Sequence, residues 1–176
     1  MNWQITRAKY QAWKEFKLQL DDNILFSTGM FYHLKGQNGS GKSSFIRKVL
    51  LPFLKNDPQK QYIFYLEQMI QTQFDAVHAC AALSKPARQI TTRSEMVAFL
   101  MDNLWMCYKE EPRPVFIIID EYPDSKLISE LLTRIDIKEY CLVYTSHQKT
   151  QFERFENLRT IDFMPLTASV TKVSLG

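Results

Sequence analysis

Gly36, Gln37, Asn38, Gly39, Ser40, Gly41, Lys42 and Ser43 fill every fixed position of the pattern G-x-x-x-x-G-K-[ST]. This is the chemistry of a loop that wraps a polyphosphate. Successive backbone N–H groups turned inward form a nest for anionic oxygens. Gly36 and Gly41 frame the loop, and Gly39 adds a third position free to take positive φ. A helix starting at the loop's end aims free N–H groups and its positive dipole end at the same phosphates. In such a loop Lys42 reaches the β- and γ-phosphates and Ser43 holds Mg²⁺. The alternative is a chance glycine-rich turn, and the flanks weigh against it. An apolar-rich run, Met30 to Leu34, leads in, and a helix-like run, Ser44 to Leu54, leads out.

A second constellation lies far downstream. Val115-Phe116-Ile117-Ile118-Ile119 ends in Asp120-Glu121. An apolar run closing on two carboxylates suits the other half of a nucleotide site. Asp120 orients Mg²⁺ through its water shell, and Glu121 takes a proton from the attacking water or polarises it. Alone, the pair could be an ordinary strand-to-loop turn; with a phosphate loop upstream it reads as catalytic. His147 follows a third apolar run.

The elements that position these residues follow from periodicity. Phe16, Leu18 and Leu20 alternate with Lys17 and Gln19 as a half-buried strand does. Phe45, Ile46, Val49, Leu50 and Phe53 recur at helical spacing after the loop, and Pro52 marks the last turn or a kink. Gln61 to Leu66 reads as a short strand and Val77 to Leu83 as an Ala-rich helix. Thr92-Arg93-Ser94-Glu95 fits a capping box. The helix behind it carries Met96, Val97, Leu100, Met101, Leu104, Trp105 and Tyr108 on one face, which suits a core rather than a ligand groove. Val115 to Ile119 reads as a strand buried on both faces. Ile128 to Ile135 reads as a helix, Glu139 to Thr145 and Leu158 to Phe163 as strands, and Thr167 to Leu175 as a last one. Strands alternating with helices predict an α/β domain with a mostly parallel central sheet. Ligands in such folds sit at the carboxyl ends of strands, where the loop, Asp120-Glu121 and His147 all fall.

Composition narrows the rest. The chain has 176 residues, 45% of them hydrophobic, and a formal net charge of +3. One domain over 1–176 is expected, burying about 70% of its unfolded surface. The charge is too mild to indicate nucleic-acid binding by itself. Cys80, Cys107 and Cys141 are scattered and odd in number, which predicts reduced thiols and a cytoplasmic setting. No run is long enough to span a bilayer, so a membrane role would come through a partner, at the inner face.

Taken together, these motifs resemble the nucleotide-binding domains of the ABC ATPase superfamily. The form G-x-N-G-S-G-K-S-S, with Ser44 as its last residue, is typical of that family and of its SMC and Rad50-like relatives. The resemblance spans about Tyr10 to Phe163. It implies a P-loop NTPase fold with N-terminal antiparallel strands and a reduced helical subdomain at about 69–108. It also implies ATP and Mg²⁺ as ligands. Tyr10 stands where the family's adenine-stacking aromatic sits, with Trp13 the competing candidate. Gln68, in Tyr65-Leu66-Glu67-Gln68, resembles the glutamine that contacts Mg²⁺ and the attacking water. His147, in Thr145-Ser146-His147, resembles the switch histidine on the γ-phosphate.

The departures are equally specific. The family's signature L-S-G-G-Q/E binds the γ-phosphate on the opposing subunit; here Thr91 to Glu95 stands in that place. The chain's glycines are Gly29, Gly36, Gly39, Gly41 and Gly176, so no paired-glycine signature exists. Tyr122-Pro123-Asp124-Ser125 replaces the usual D-loop. Three readings follow. The first is an ATPase subunit that pairs with a second nucleotide-binding subunit, as homo- or heterodimer, and drives a membrane-spanning partner. The second is a degenerate nucleotide switch with weak turnover. The third is an ABC-like ATPase acting on nucleic acid; no coiled-coil heptads interrupt the chain between Gln68 and Thr91, which weighs against an SMC or Rad50 body. The presence of Lys42, Asp120, Glu121 and His147 favours the first.

Overall fold

Two strands of the chain, β7 (Val115–Asp120) and β8 (Tyr140–Thr145), are buried along their whole length. Their side chains alternate between two cores, as a pleated strand requires. Phe116, Ile118, Cys141 and Val143 enter one; Val115, Ile117, Ile119, Tyr140, Leu142 and Tyr144 enter the other. Full burial of an Ile, Val or Phe side chain is worth roughly 1.5–3 kcal/mol, so these strands anchor the domain. The computed structural model describes residues 1–67, 70–83, 89–121, 133, 136–146 and 156–176. The expected helix at Ile128 to Ile135, except Thr133, and the Tyr122 to Ser125 segment lie outside the described residues.

The remaining strands are β1 (Asn2–Ile5), β2 (Lys9–Trp13), β3 (Phe16–Leu20), β4 (Ile24–Ser27), β5 (Phe31–Gly36), β6 (Tyr62–Leu66), β9 (Leu158–Thr167) and β10 (Val170–Leu175). An eight-stranded sheet has the order β2-β3-β10-β9-β5-β8-β7-β6. From β9 to β6 neighbouring strands run parallel. At the other end β2–β3 and β9–β10 are antiparallel, while β10 joins β3 in parallel. The expected mostly parallel sheet therefore describes the β9-to-β6 run, and the sheet as a whole is mixed. The pair β1–β4 forms a separate antiparallel sheet. It seals the first core with Trp3, Ile5, Ile24 and Phe26, and Trp3 meets Phe116 edge-on at 5.1 Å.

The chain after the phosphate loop is helical from α1 (Lys42–Phe45) through a π-helical turn (Ile46–Leu50) to α2 (Leu51–Asn56). Pro52 lacks the N–H that an α-helix would direct to Lys48, and the widened turn lies just ahead of it. Phe45, Ile46, Val49, Leu50 and Leu54 face the first core. α3 (Ile70–Ala82) and α4 (Arg93–Glu110) pack in the second core with β6 and β7. α4 opens with the expected capping box: the Glu95 N–H donates to Thr92 Oγ1 at 3.2 Å, and the Glu95 carboxylate accepts from the Thr92 N–H at 3.0 Å. Its buried stripe is Met96, Val97, Met101 and Leu104, with Leu100, Trp105 and Tyr108 partly covered. Among the described residues, no helix is long and apolar enough to cross a membrane.

Candidate functional site

β8 and β7 end at one level, which the neighbouring β5 passes at Leu34 before ending at Gly36. Parallel register sets Leu34 opposite Thr145 and Thr145 opposite Asp120. Below that level the strands are apolar; above it begins the loop that follows β5.

Loop geometry explains its glycines. A Cβ on Gly36 would come within 2.7 Å of the Phe163 carbonyl oxygen and 2.9 Å of Phe163 Cβ, so the loop leaves the sheet in direct contact with β9. Gly41 sits at φ 94°, in the left-handed region, and a Cβ there would stand 2.8 Å from the Phe16 ring. Side chains are excluded from that position twice over, by backbone conformation and by Phe16. Gly41 is also the N-cap of α1 and supplies no side-chain acceptor. Lys42 folds back over the loop and donates from Nζ to the Gly36 and Gln37 carbonyl oxygens at 2.8 and 2.9 Å.

Asp120 is buried at the end of β7. Its Oδ1 accepts from Ser43 Oγ at 2.9 Å and from Thr145 Oγ1 at 3.3 Å. Its Oδ2 has no hydrogen-bond partner among the described residues, and neither has the buried Ser40 Oγ. Burial pushes the Asp120 carboxyl above its ordinary value, opposed by the hydrogen bonds from Ser43 and Thr145 and by the positive charge of Arg47. Burial holds Lys42 below the usual lysine range, opposed by the negative charges of Glu121 and Asp120. Glu121, next in the chain, sits at φ 60°. A left-handed conformation in a non-glycine residue costs about 1–3 kcal/mol and is concentrated at functional positions.

These groups line a cleft of about 560 Å³, within the ~300–1,000 Å³ range of small-molecule sites. Residues 38–44 line it together with Asp120, Glu121, Thr145, Trp13 and Phe16. The Trp13 indole N–H donates to Ser44 Oγ at 3.1 Å, and the Lys48 ammonium lies 4.4 Å from the indole ring centroid. Tyr10 is not brought to this cleft. Its hydroxyl donates to the Thr6 carbonyl oxygen at 2.9 Å, and its ring lines a separate groove with Val49 and Pro52. A register irregularity between Gln11 and Trp13 interrupts the β2–β3 pairing, and such a bulge re-aims the side chains beyond it. Gln68 and His147 lie outside the described residues. The motifs assign no site role to Thr145 or Phe16; the signal for Thr145 is a threonine closing a buried strand in register with Asp120.

Among the described residues, no cluster of three or more His, Cys, Asp or Glu could hold a metal ion alone. Magnesium does not need one, because it commonly takes one or two protein oxygens and completes its shell with phosphates and water. Ser43 Oγ and the unpartnered Asp120 Oδ2 fit that donor set.

No protein-family model and no curated protein matches the chain. Solved structures do. A chain in the crystal structure of archaeal ribosomal stalk protein aP1 with archaeal ribosome recycling factor aABCE1 aligns with TM-score 0.51 and 14% identity, covering 97% of this chain and 38% of that one. A chain from the assembly of ribosome-bound archaeal Pelota and ABCE1 aligns with TM-score 0.52 and 13% identity, covering 98% and 35%. The structure of C. elegans PCH-2 aligns with TM-score 0.40 and 19% identity, covering 75% and 34%. This chain thus spans under two-fifths of the length of these three chains. At these identities the first two likenesses establish the fold alone: an α/β domain built on a mixed central sheet.

Proposed function

We propose that the chain is an ABC-type, P-loop ATPase subunit that binds ATP with Mg²⁺ over residues 36–44 and hydrolyses it. One observation carries the reading: the loop's Ser43 is hydrogen-bonded to Asp120, whose second carboxylate oxygen is buried with no partner among the described residues. A lysine and an aspartate, each disfavoured by burial, share one cleft. An anion over the loop and a cation beside Asp120 would relieve both.

In the proposed mechanism the loop N–H groups and Lys42 hold the β- and γ-phosphates. Ser43 and Asp120 would hold Mg²⁺, with Gln68 as a further ligand, and the ion would supply neutralisation of the triphosphate's charge. Glu121 accepts a proton from water as the water oxygen bonds to the γ-phosphorus. The bond from that phosphorus to the bridging oxygen breaks, and ADP leaves with the electron pair. His147 contacts the γ-phosphate, as the resemblance implies. Trp13 replaces Tyr10 as the base-stacking aromatic; its support is its place in the cleft wall and its bond to Ser44.

The subunit's partner is proposed to be a different nucleotide-binding chain rather than a second copy. The start of α4 stands where the trans signature is expected, and the main-chain donors of Thr91, Thr92 and Glu95 there are already taken. The Glu95 carboxylate accepts from the Thr91 N–H at 2.8 Å and from the Thr92 N–H at 3.0 Å. Those bonds, with the Thr91 hydroxyl, hold its pKa down to about 2, so it is ionised at neutral pH. A phosphate arriving there from another copy would meet a negative charge. Coupling to a membrane-spanning subunit rests on the family resemblance alone.

Lys42→Ala is expected to abolish binding of Mg-ATP in equilibrium titration; full affinity in that variant would remove the phosphate-loop assignment. Trp13→Ala should weaken ATP binding roughly tenfold, since stacking of a base on an aromatic side chain is worth ~1–3 kcal/mol; unchanged affinity would exclude Trp13. Glu121→Gln should bind ATP but turn it over at least about tenfold more slowly, a positioned general base being worth ~10²–10⁴-fold. An unchanged phosphate-release rate would leave a nucleotide switch as the better reading. With ATP and Mg²⁺, Glu121→Gln should also remain monomeric by light scattering, and concentration-dependent dimerisation would overturn the hetero-partner proposal.

A further inference from the structure

We propose that Thr145 is a positioning residue for the metal-binding end of this cleft, orienting Asp120 so that its Oδ2 is left for the cation. The proposal rests on the ATP-binding reading above and adds a residue that no motif assigns.

Asp120 has two carboxylate oxygens with capacity for about four hydrogen bonds. Among the described residues, two side-chain donors reach it, Ser43 Oγ and Thr145 Oγ1, and both go to Oδ1. Oδ2 receives none among the described residues, although it is buried. An unpartnered buried polar atom is costly, by ~1–3 kcal/mol, so the asymmetry has a reason other than stability. Thr145 comes from β8, the strand between β5 and β7, and lies directly opposite Asp120 in parallel register. It is 4% exposed and lines the cleft. Ser43 is part of the loop and would itself engage the cation. Thr145 belongs to the rigid sheet, so its hydroxyl can hold Oδ1 whether or not the loop is engaged with ligand. The contact at 3.3 Å is long for two oxygens, which leaves room for it to shorten when Oδ2 binds.

The test uses the full chain and a fluorescent ATP analogue bearing an N-methylanthraniloyl group, titrated in EDTA and across a range of Mg²⁺ concentrations. Thr145→Val removes the hydroxyl at nearly constant shape. It should raise the half-saturating Mg²⁺ concentration about tenfold, the order expected for one lost hydrogen bond to a charged group. Analogue binding in EDTA should stay within about twofold of wild type, and Thr145→Ser should restore the Mg²⁺ midpoint. If Thr145→Val does not fold by circular dichroism, the comparison of Thr145→Ala with Thr145→Ser carries the same prediction. An unchanged midpoint in the hydroxyl-free variant overturns the proposal. So does equal weakening with and without Mg²⁺, which would mark a packing role, and so does a serine variant as impaired as the valine one. A wild-type chain that binds no analogue overturns the ATP-binding reading and this proposal with it. Wild-type binding with a Thr145→Val midpoint equal to wild type overturns this proposal alone.

Discussion

The hydrogen bond from Ser43 Oγ to Asp120 Oδ1 joins residues 77 apart in sequence, and the architecture is what makes it possible. Ser43 stands just past the loop after β5, and Asp120 is the last residue of β7. These strands are not sheet neighbours; β8 lies between them. The bond therefore requires a crossover from β7 to β8 that inserts the later strand beside β5. It also requires a register that brings Leu34, Thr145 and Asp120 to one level. A slip of one residue in either pairing would turn every side chain of the slipped strand to the opposite core. Both faces of β7 are apolar, so that slip is resisted by the fit of Phe116 and Ile118 in one close-packed core and of Val115, Ile117 and Ile119 in the other. Hydrophobic burial thus sets the polar geometry at the strand ends.

The site itself is locally unfavourable. Lys42 and Asp120 are each displaced by burial away from their charged forms. Ser40 Oγ and Asp120 Oδ2 are buried without partners among the described residues, and Glu121 adopts a left-handed backbone. The unpartnered atoms and the left-handed residue each cost on the order of 1–3 kcal/mol. The apolar lengths of β7 and β8 supply a compensating term of comparable or larger size, at roughly 1.5–3 kcal/mol for each large side chain fully buried. Departures from local rules gathered in one cleft, above strands that obey every rule, are the pattern expected of a binding or catalytic site.

Legibility in the sequence followed the same division. The loop, β5 to β8 and the α4 capping box could be read because each rests on a local rule: fixed glycine spacing, uninterrupted apolar runs, or Thr92 and Glu95 three residues apart. The β1–β4 sheet was not read, because Asn2–Ile5 and Ile24–Ser27 are too short for alternation to stand out and their pairing is non-local. The parallel junction of β10 with β3 closes the sheet through residues from opposite ends of the chain, which no window of sequence contains. The family resemblance implies Tyr10 at the base, with Trp13 the competing candidate, and no local rule separates the two. The irregularity in β2–β3 pairing lies between them, with Tyr10 outside the cleft and Trp13 in its lining. In Thr145-Ser146-His147 the motif assigns a role to His147 alone, and the significance of Thr145 lies in its register with Asp120.

Two helix starts in this chain show how far its chemistry is one-sided. α1 begins at Gly41, with no side chain to satisfy its first N–H groups, in the lining of the cleft. α4 begins at Thr92, and there Thr92 Oγ1 and the Glu95 carboxylate take up the main-chain donors of Thr91, Thr92 and Glu95. Anions favour the first kind of helix start by dipole and open donors together. At the second, the protein's own carboxylate already fills that role, and a further anion would have to displace it. A chain built this way is suited to accept phosphate through α1 and to offer none of the same service through α4. On the proposed reading a partner subunit would bring its own anion-binding groups to the cleft, which would make the missing glycine pair a requirement placed on that partner rather than a defect of the site.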